Sequence, residues 1–76
     1  MIRELDSVVL TRDLVGNQLS AGDIGTVVLV HENGKGFEVE FTTLDGETLA
    51  IVTLRKSQIR AIKPHEIAHV RSLASA

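Results

Sequence analysis

Phe37, Val39 and Phe41 alternate with Glu38 and Glu40, the period-two pattern of a strand with one dry and one wet face. A dry face has to be covered, and the neighbouring segments offer further strands to cover it. Asp6 to Thr11, with Val8, Val9 and Leu10, reads as a first strand. Ile24 to Val30 reads as a second, and its nearly unbroken apolar run demands contacts on both faces or a bulge that switches faces midway. Asn33-Gly34, the pair best able to take positive φ angles, turns that strand into Phe37 to Phe41 as a hairpin. Asp45-Gly46 repeats the turn chemistry and opens a fourth strand, Glu47 to Leu54. In it Leu49, Ile51 and Thr53 share one face and Ala50, Val52 and Leu54 the other, so both faces are largely apolar. A single helical turn, Arg55 to Gln58, precedes a short last strand, Ile59 to Ile62.

Two further segments frame these strands. Arg12 to Gly22 is a long polar loop for so small a chain, and it ends in Ala21-Gly22-Asp23-Ile24-Gly25-Thr26-Val27-Val28, a tight glycine turn feeding a β-branched run. From Pro64 onward the period changes to about 3.6, with proline at the first helical position, Glu66 in the first turn and Arg71 near the end. This predicts a short helix that docks Ile67, Val70 and Ala74 on the barrel or on a partner, because an isolated helix of this length does not persist in water. The expected organisation is a barrel over residues 1–62 and a C-terminal helical tail over residues 63–76.

Composition narrows what such a fold can do. A chain of 76 residues makes one domain with little apolar material for a deep catalytic cavity, so we expect no enzyme. With no cysteine there is no disulfide framework, thiolate nucleophile or thiolate metal site. Ten acidic against eight basic side chains, a net charge of −2, give no general attraction to phosphate backbones, and nucleic acid is not expected as a partner. The charged start, Met1-Ile2-Arg3-Glu4-Leu5-Asp6, lacks the apolar core of a signal peptide, and no stretch approaches membrane-spanning length. A cytoplasmic chain with no membrane partner is therefore the expectation.

Five short strands, a long first loop, two glycine hairpins and a helical turn before the last strand resemble an SH3-like barrel, and Gly22-Asp23-Ile24-Gly25-Thr26-Val27 is similar to the glycine-valine turn of KOW-type modules. Glu4-Leu5-Asp6-Ser7-Val8-Val9-Leu10-Thr11, Ala21 to Val28, Val39-Glu40-Phe41 and Val52-Thr53-Leu54 resemble a small bacterial family, domain of unknown function 4926. The resemblance runs from about Ile2 to Ile62. It implies an all-β fold, a small five-stranded SH3-like barrel, and a stand-alone chain or accessory module, with an immunity- or antitoxin-like role among the functions it suggests. It implies no catalytic residue. The chain departs from KOW modules where nucleic acid would bind, having no basic stripe, Tyr or Trp.

One motif points to an enzyme. His65-Glu66-Ile67-Ala68-His69 matches HExxH, in which two histidines one helical turn apart hold zinc and the glutamate activates a bound water. Read literally, His65 and His69 are ligands, Glu66 the general base, and His31, Asp45 or another carboxylate the third ligand. Helical spacing counts against this, placing the histidines opposite Ile67, Val70 and Ala74 and therefore on the wet face. No ligand type follows His69, and so short a chain has no lobes to form a substrate cleft. A small zinc hydrolase is kept as the alternative, with no cofactor expected otherwise.

The remaining candidates reduce to structure. Gly34-Lys35-Gly36 lacks the length and the Lys-Ser/Thr ending of a phosphate loop and reads as a hairpin turn. Phe37 and Phe41, the two aromatics, point inward with Val39 and leave no stacking platform or polyproline groove. Glu38, Glu40 and Glu47 read as a solvated outer face, with a docking surface for a basic partner as the functional alternative. His31 reads as a strand end, and Arg55-Lys56 as surface charge. The sequence thus predicts a non-enzymatic interaction module that binds a protein partner, or itself as a homo-oligomer. Its expected contact residues are Ala50, Ile51, Val52 and Leu54 of the fourth strand and Arg12 and Asp13 of the long loop, with the tail beside them.

Overall fold

Five strands form one antiparallel sheet in the order β4-β3-β2-β1-β5. They are β1 (Ser7–Leu10), β2 (Ile24–His31), β3 (Gly36–Thr42), β4 (Thr48–Arg55) and β5 (Ile59–Ala61), with 3₁₀ turns at Val15–Asn17 and Lys56–Gln58. The computed structural model describes residues 1–73.

The connection from β4 to β5 requires the sheet to curl. Five strands laid flat would put these two edges about 19 Å apart, at roughly 4.8 Å per neighbour. Arg55 and Ile59 are joined by the turn Lys56–Gln58, which spans at most about 14 Å fully stretched and less as a 3₁₀ turn. The sheet therefore wraps into a barrel-like form, left open between β4 and β5, as the all-β expectation requires. The Gln58 side-chain carbonyl accepts the Arg55 N–H at 2.8 Å and caps the start of the turn.

The inner face carries the apolar positions. Val8, Leu10, Val27, Phe37, Val39, Phe41, Leu54 and Ile59 are buried together with Leu19 from the long loop, and Ala50, Val52 and Leu49 pack on them. The apolar run of β2 is resolved by a bulge, since Val27 pairs with Val39 and Leu29 with Glu38 while Val28 is passed over. Val27 is consequently buried while Val28 and Leu29 are exposed. The β2–β3 hairpin is wider than an Asn-Gly pair alone makes it, with positive φ at Glu32, Asn33 and Gly34 and His31 paired to Gly36.

The two glycines of the long turn serve different needs. Gly22 sits at φ +96°, where a side chain is strained. Gly25 lies in β2 under the core, where a Cβ would stand 2.6 Å from Val39 Cγ1 and 2.8 Å from Phe41 Cε1.

The C-terminal helix does not form among the described residues. One turn starts: the Glu66 N–H donates to the Lys63 carbonyl at 3.2 Å, and the Glu66 carboxylate accepts the Lys63 N–H at 2.6 Å, half of a capping box. It stops there, and the chain continues without regular structure to Leu73. Two physical reasons explain the difference. A nucleus of one turn is too costly to propagate without an apolar face to dock, and Ile67 and Val70 are 95% and 72% exposed. Leaving the helix also gives reach: from Glu66 to Arg71 a helix would advance only about 8 Å, whereas a chain free of it can span up to about 16 Å. Ala74, the third member of the expected apolar stripe, lies outside the described residues. No helix of the described residues is long and apolar enough to cross a membrane.

Candidate interaction surface

β4 is the long edge of the sheet, and among the described residues β3 is its one strand neighbour. Its faces are not equivalent. Leu54 is 2% exposed, and Ala50 and Val52 pack on the core, so these three expected contact residues are core residues. The large apolar side chain that β4 presents to water is Ile51, 58% exposed, opposite Glu40 of β3, with Thr48, Thr53 and Arg55 also exposed. The fourth strand thus has one apolar face and one mixed face. Its second apolar-looking residue, Leu49, is half-buried at a bulge between the Phe41–Ala50 and Thr42–Thr48 pairs.

The outer face around Ile51 is acidic but internally satisfied. Glu38 accepts hydrogen bonds from the Thr53 hydroxyl at 2.7 Å and from the His31 ring at 2.8 Å, and these hold its carboxyl below the usual carboxylate range. The Thr48 hydroxyl donates to Glu40 at 2.7 Å. Glu47 stands outside this row, its backbone tied to Thr43 across the β3–β4 turn. His31 ends β2, as its position in the sequence predicts.

The long loop is folded rather than loose. Leu14 and Leu19 bridge to each other around the 3₁₀ turn, Leu19 drops its side chain into the core, and Asp13 accepts the Ala21 N–H at 2.8 Å. Arg12 and Asp13 are both exposed on it, and Val15 at its tip is 85% exposed.

Residues 62–73 run back over the barrel as a strap, held at two points by charge. At its start Arg60 of β5 grips Glu66 with two hydrogen bonds, at 2.8 and 2.6 Å. Near its end the Arg71 guanidinium donates to both oxygens of Asp23, at 2.8 and 2.5 Å, and to the Gln18 carbonyl at 3.0 Å. The Arg71 hydrogen bonds pull the Asp23 carboxyl below its ordinary value, and the Ser20 N–H at 2.8 Å adds to this. Between strap and barrel lies an open groove of about 620 Å³ with Ile24, Phe41, Leu44 and Leu49 on the barrel side and His69 and Val70 on the strap side.

The HExxH reading loses its geometric premise, because its residues do not share a helix and the spacing of His65 and His69 no longer places them one turn apart on a common face. Glu66 is committed elsewhere: the hydrogen bond from Arg60, with that from the Lys63 N–H, lowers its carboxyl to about 2. A general base needs the opposite displacement.

The Asp23–Arg71 and Arg60–Glu66 pairs went unpredicted. Asp23 reads in the sequence as turn chemistry and Arg71 as a helix-end charge, and no local pattern connects residues 48 positions apart. Among known proteins, one family model, described as a domain of unknown function, matches residues 4–61. That span contains all five strands and excludes the strap. No curated protein and no solved structure matches the chain.

Proposed function

The chain belongs to the family described as Domain of unknown function (DUF4926), and from that premise we propose that it is a cytoplasmic, non-enzymatic interaction module that binds a protein partner or a second copy of itself. The observation that carries this reading is the β4 edge: an eight-residue strand with a neighbour on one side and Ile51 in solvent at its middle. An unpaired edge offers main-chain donors and acceptors to another strand, and an exposed isoleucine beside it rewards the burial. The folded loop with Arg12, Asp13 and Val15, and the strap with Ile67 and Val70, add further exposed side chains. Support for a non-enzymatic role comes from the carboxylates. Asp23, Glu38 and Glu66 are all shifted downward by hydrogen bonds, which suits permanent ion pairs and opposes proton transfer near neutrality.

Ile51→Asp tests the reading. Because Ile51 is exposed, the charge leaves the fold intact by circular dichroism, and the expected result is loss of self-association in sedimentation or of partner capture from a host lysate. Unchanged assembly and capture with Ile51→Asp would assign the contacts elsewhere and end this reading.

A further inference from the structure

Asn33 and Gly34 form the tip of the β2–β3 hairpin, and their chemistry goes beyond making a turn. An asparagine followed by glycine loses its side-chain amide without an enzyme, because the next backbone nitrogen has no Cβ beside it to block its approach. Asn33 is exposed, and apart from the chain neighbours of Gly34 no heavy atom lies within 4 Å of where a Cβ on it would stand, so a succinimide ring has room to close there. The nitrogen that has to attack is engaged in the folded turn. The Gly34 N–H donates to the His31 carbonyl at 3.0 Å, and attack requires giving up both that bond and the proton.

We infer that the β2–β3 turn is a self-modification site, at which Asn33 converts to aspartate and isoaspartate at a rate held back by the turn itself. The Gly34 nitrogen bonds to Asn33 Cγ, the Cγ–Nδ2 bond breaks, and ammonia leaves carrying the proton that Gly34 gave up. Water then opens the succinimide at one of its two carbonyls. Opening at Cγ gives aspartate, and opening at the main-chain carbonyl gives isoaspartate, with one more methylene in the backbone. That methylene enters a turn with positive φ at Glu32, Asn33 and Gly34, next to the His31–Gly36 pair that starts the ladder of the hairpin. Either product adds a carboxylate beside Glu32. The other asparagine of the chain, Asn17, provides the contrast: Gln18 follows it with a Cβ in the way, and its amide is expected to stay.

Ageing of the natural chain in mildly alkaline buffer, followed by fragmentation and mass spectrometry, tests the site. Acid is expected at Asn33 and not at Asn17, as both isoaspartate and aspartate, with a rate that rises with pH because the attacking nitrogen loses a proton. In guanidinium chloride, where the Gly34–His31 bond is gone, the same conversion is expected to run several-fold faster. Conversion at Asn17 as fast as at Asn33, or aspartate without isoaspartate, overturns the inference. So do equal rates in the folded and unfolded chains, and so does an Asn33 still intact in the folded chain when conversion in guanidinium chloride is complete.

Discussion

The barrel and the strap are held by opposite means. Phe37, Val39, Phe41 and Leu54 are at most 2% exposed, on strands whose backbone groups bond to neighbours, whereas Ile67 and Val70 face water and the strap rests on Arg60–Glu66 and Arg71–Asp23. Burial of this kind is lost only by unfolding, while half-exposed ion pairs are individually weak and respond to salt and pH. A segment tied this way can let go while the sheet stays whole. The difference separates a fixed scaffold from a releasable part within one short chain.

The contrast is testable from its strong side first. Phe37→Ala removes a ring from the centre of the core and is expected to cost about 3–5 kcal/mol, which urea unfolding followed by circular dichroism measures. A small loss there would mean that the barrel is not the rigid half. Gly25→Ala pushes a methyl against Val39 and Phe41 and is expected to cost about 1–3 kcal/mol by overpacking, a smaller fall in the same midpoint.

Acid probes the weak side and has the smallest effect on global stability. Glu66 and Asp23 both have folded pKa values below their unfolded ones, so what they contribute is present above the unfolded carboxylate range and is lost as pH falls through the folded values. The ties are therefore expected to be constant from neutrality down to about pH 5 and to weaken below it, with Glu66 protonating near pH 2. The side-chain NMR signals of Asp23, Glu66 and Arg71 should then shift with pH while the amides of β2 and β3 stay protected from exchange. Loss of sheet protection over the same pH range would erase the distinction.

Much of the barrel was legible because each strand signals itself over a few residues. The Phe37–Val39–Phe41 alternation, the face switch in Ile24 to Val30 and the turn at Lys56–Gln58 all reappear in the structure. The two faces of β4 were legible only in part. Alternation showed that β4 has two largely apolar faces, but which of them met the core depended on its pairing with β3, and that pairing turned Leu54 inward and Ile51 outward. The tail misled because its 3.6 period is real in the sequence. Pro64 and Glu66 do start a turn, and the bonds of Glu66 to Arg60 and of Arg71 to Asp23 then favour a non-helical course.

The sequence alone determined the class of fold, the number of strands and the inward set around Phe37 and Val39, because periodicity and turn chemistry act between near neighbours. Tertiary structure decided the conformation of the strap, the side of β4 left in water and the pairing of Arg71 with Asp23. Each of those depends on groups far apart in the chain meeting across the folded sheet, and no short-range pattern encodes such a meeting.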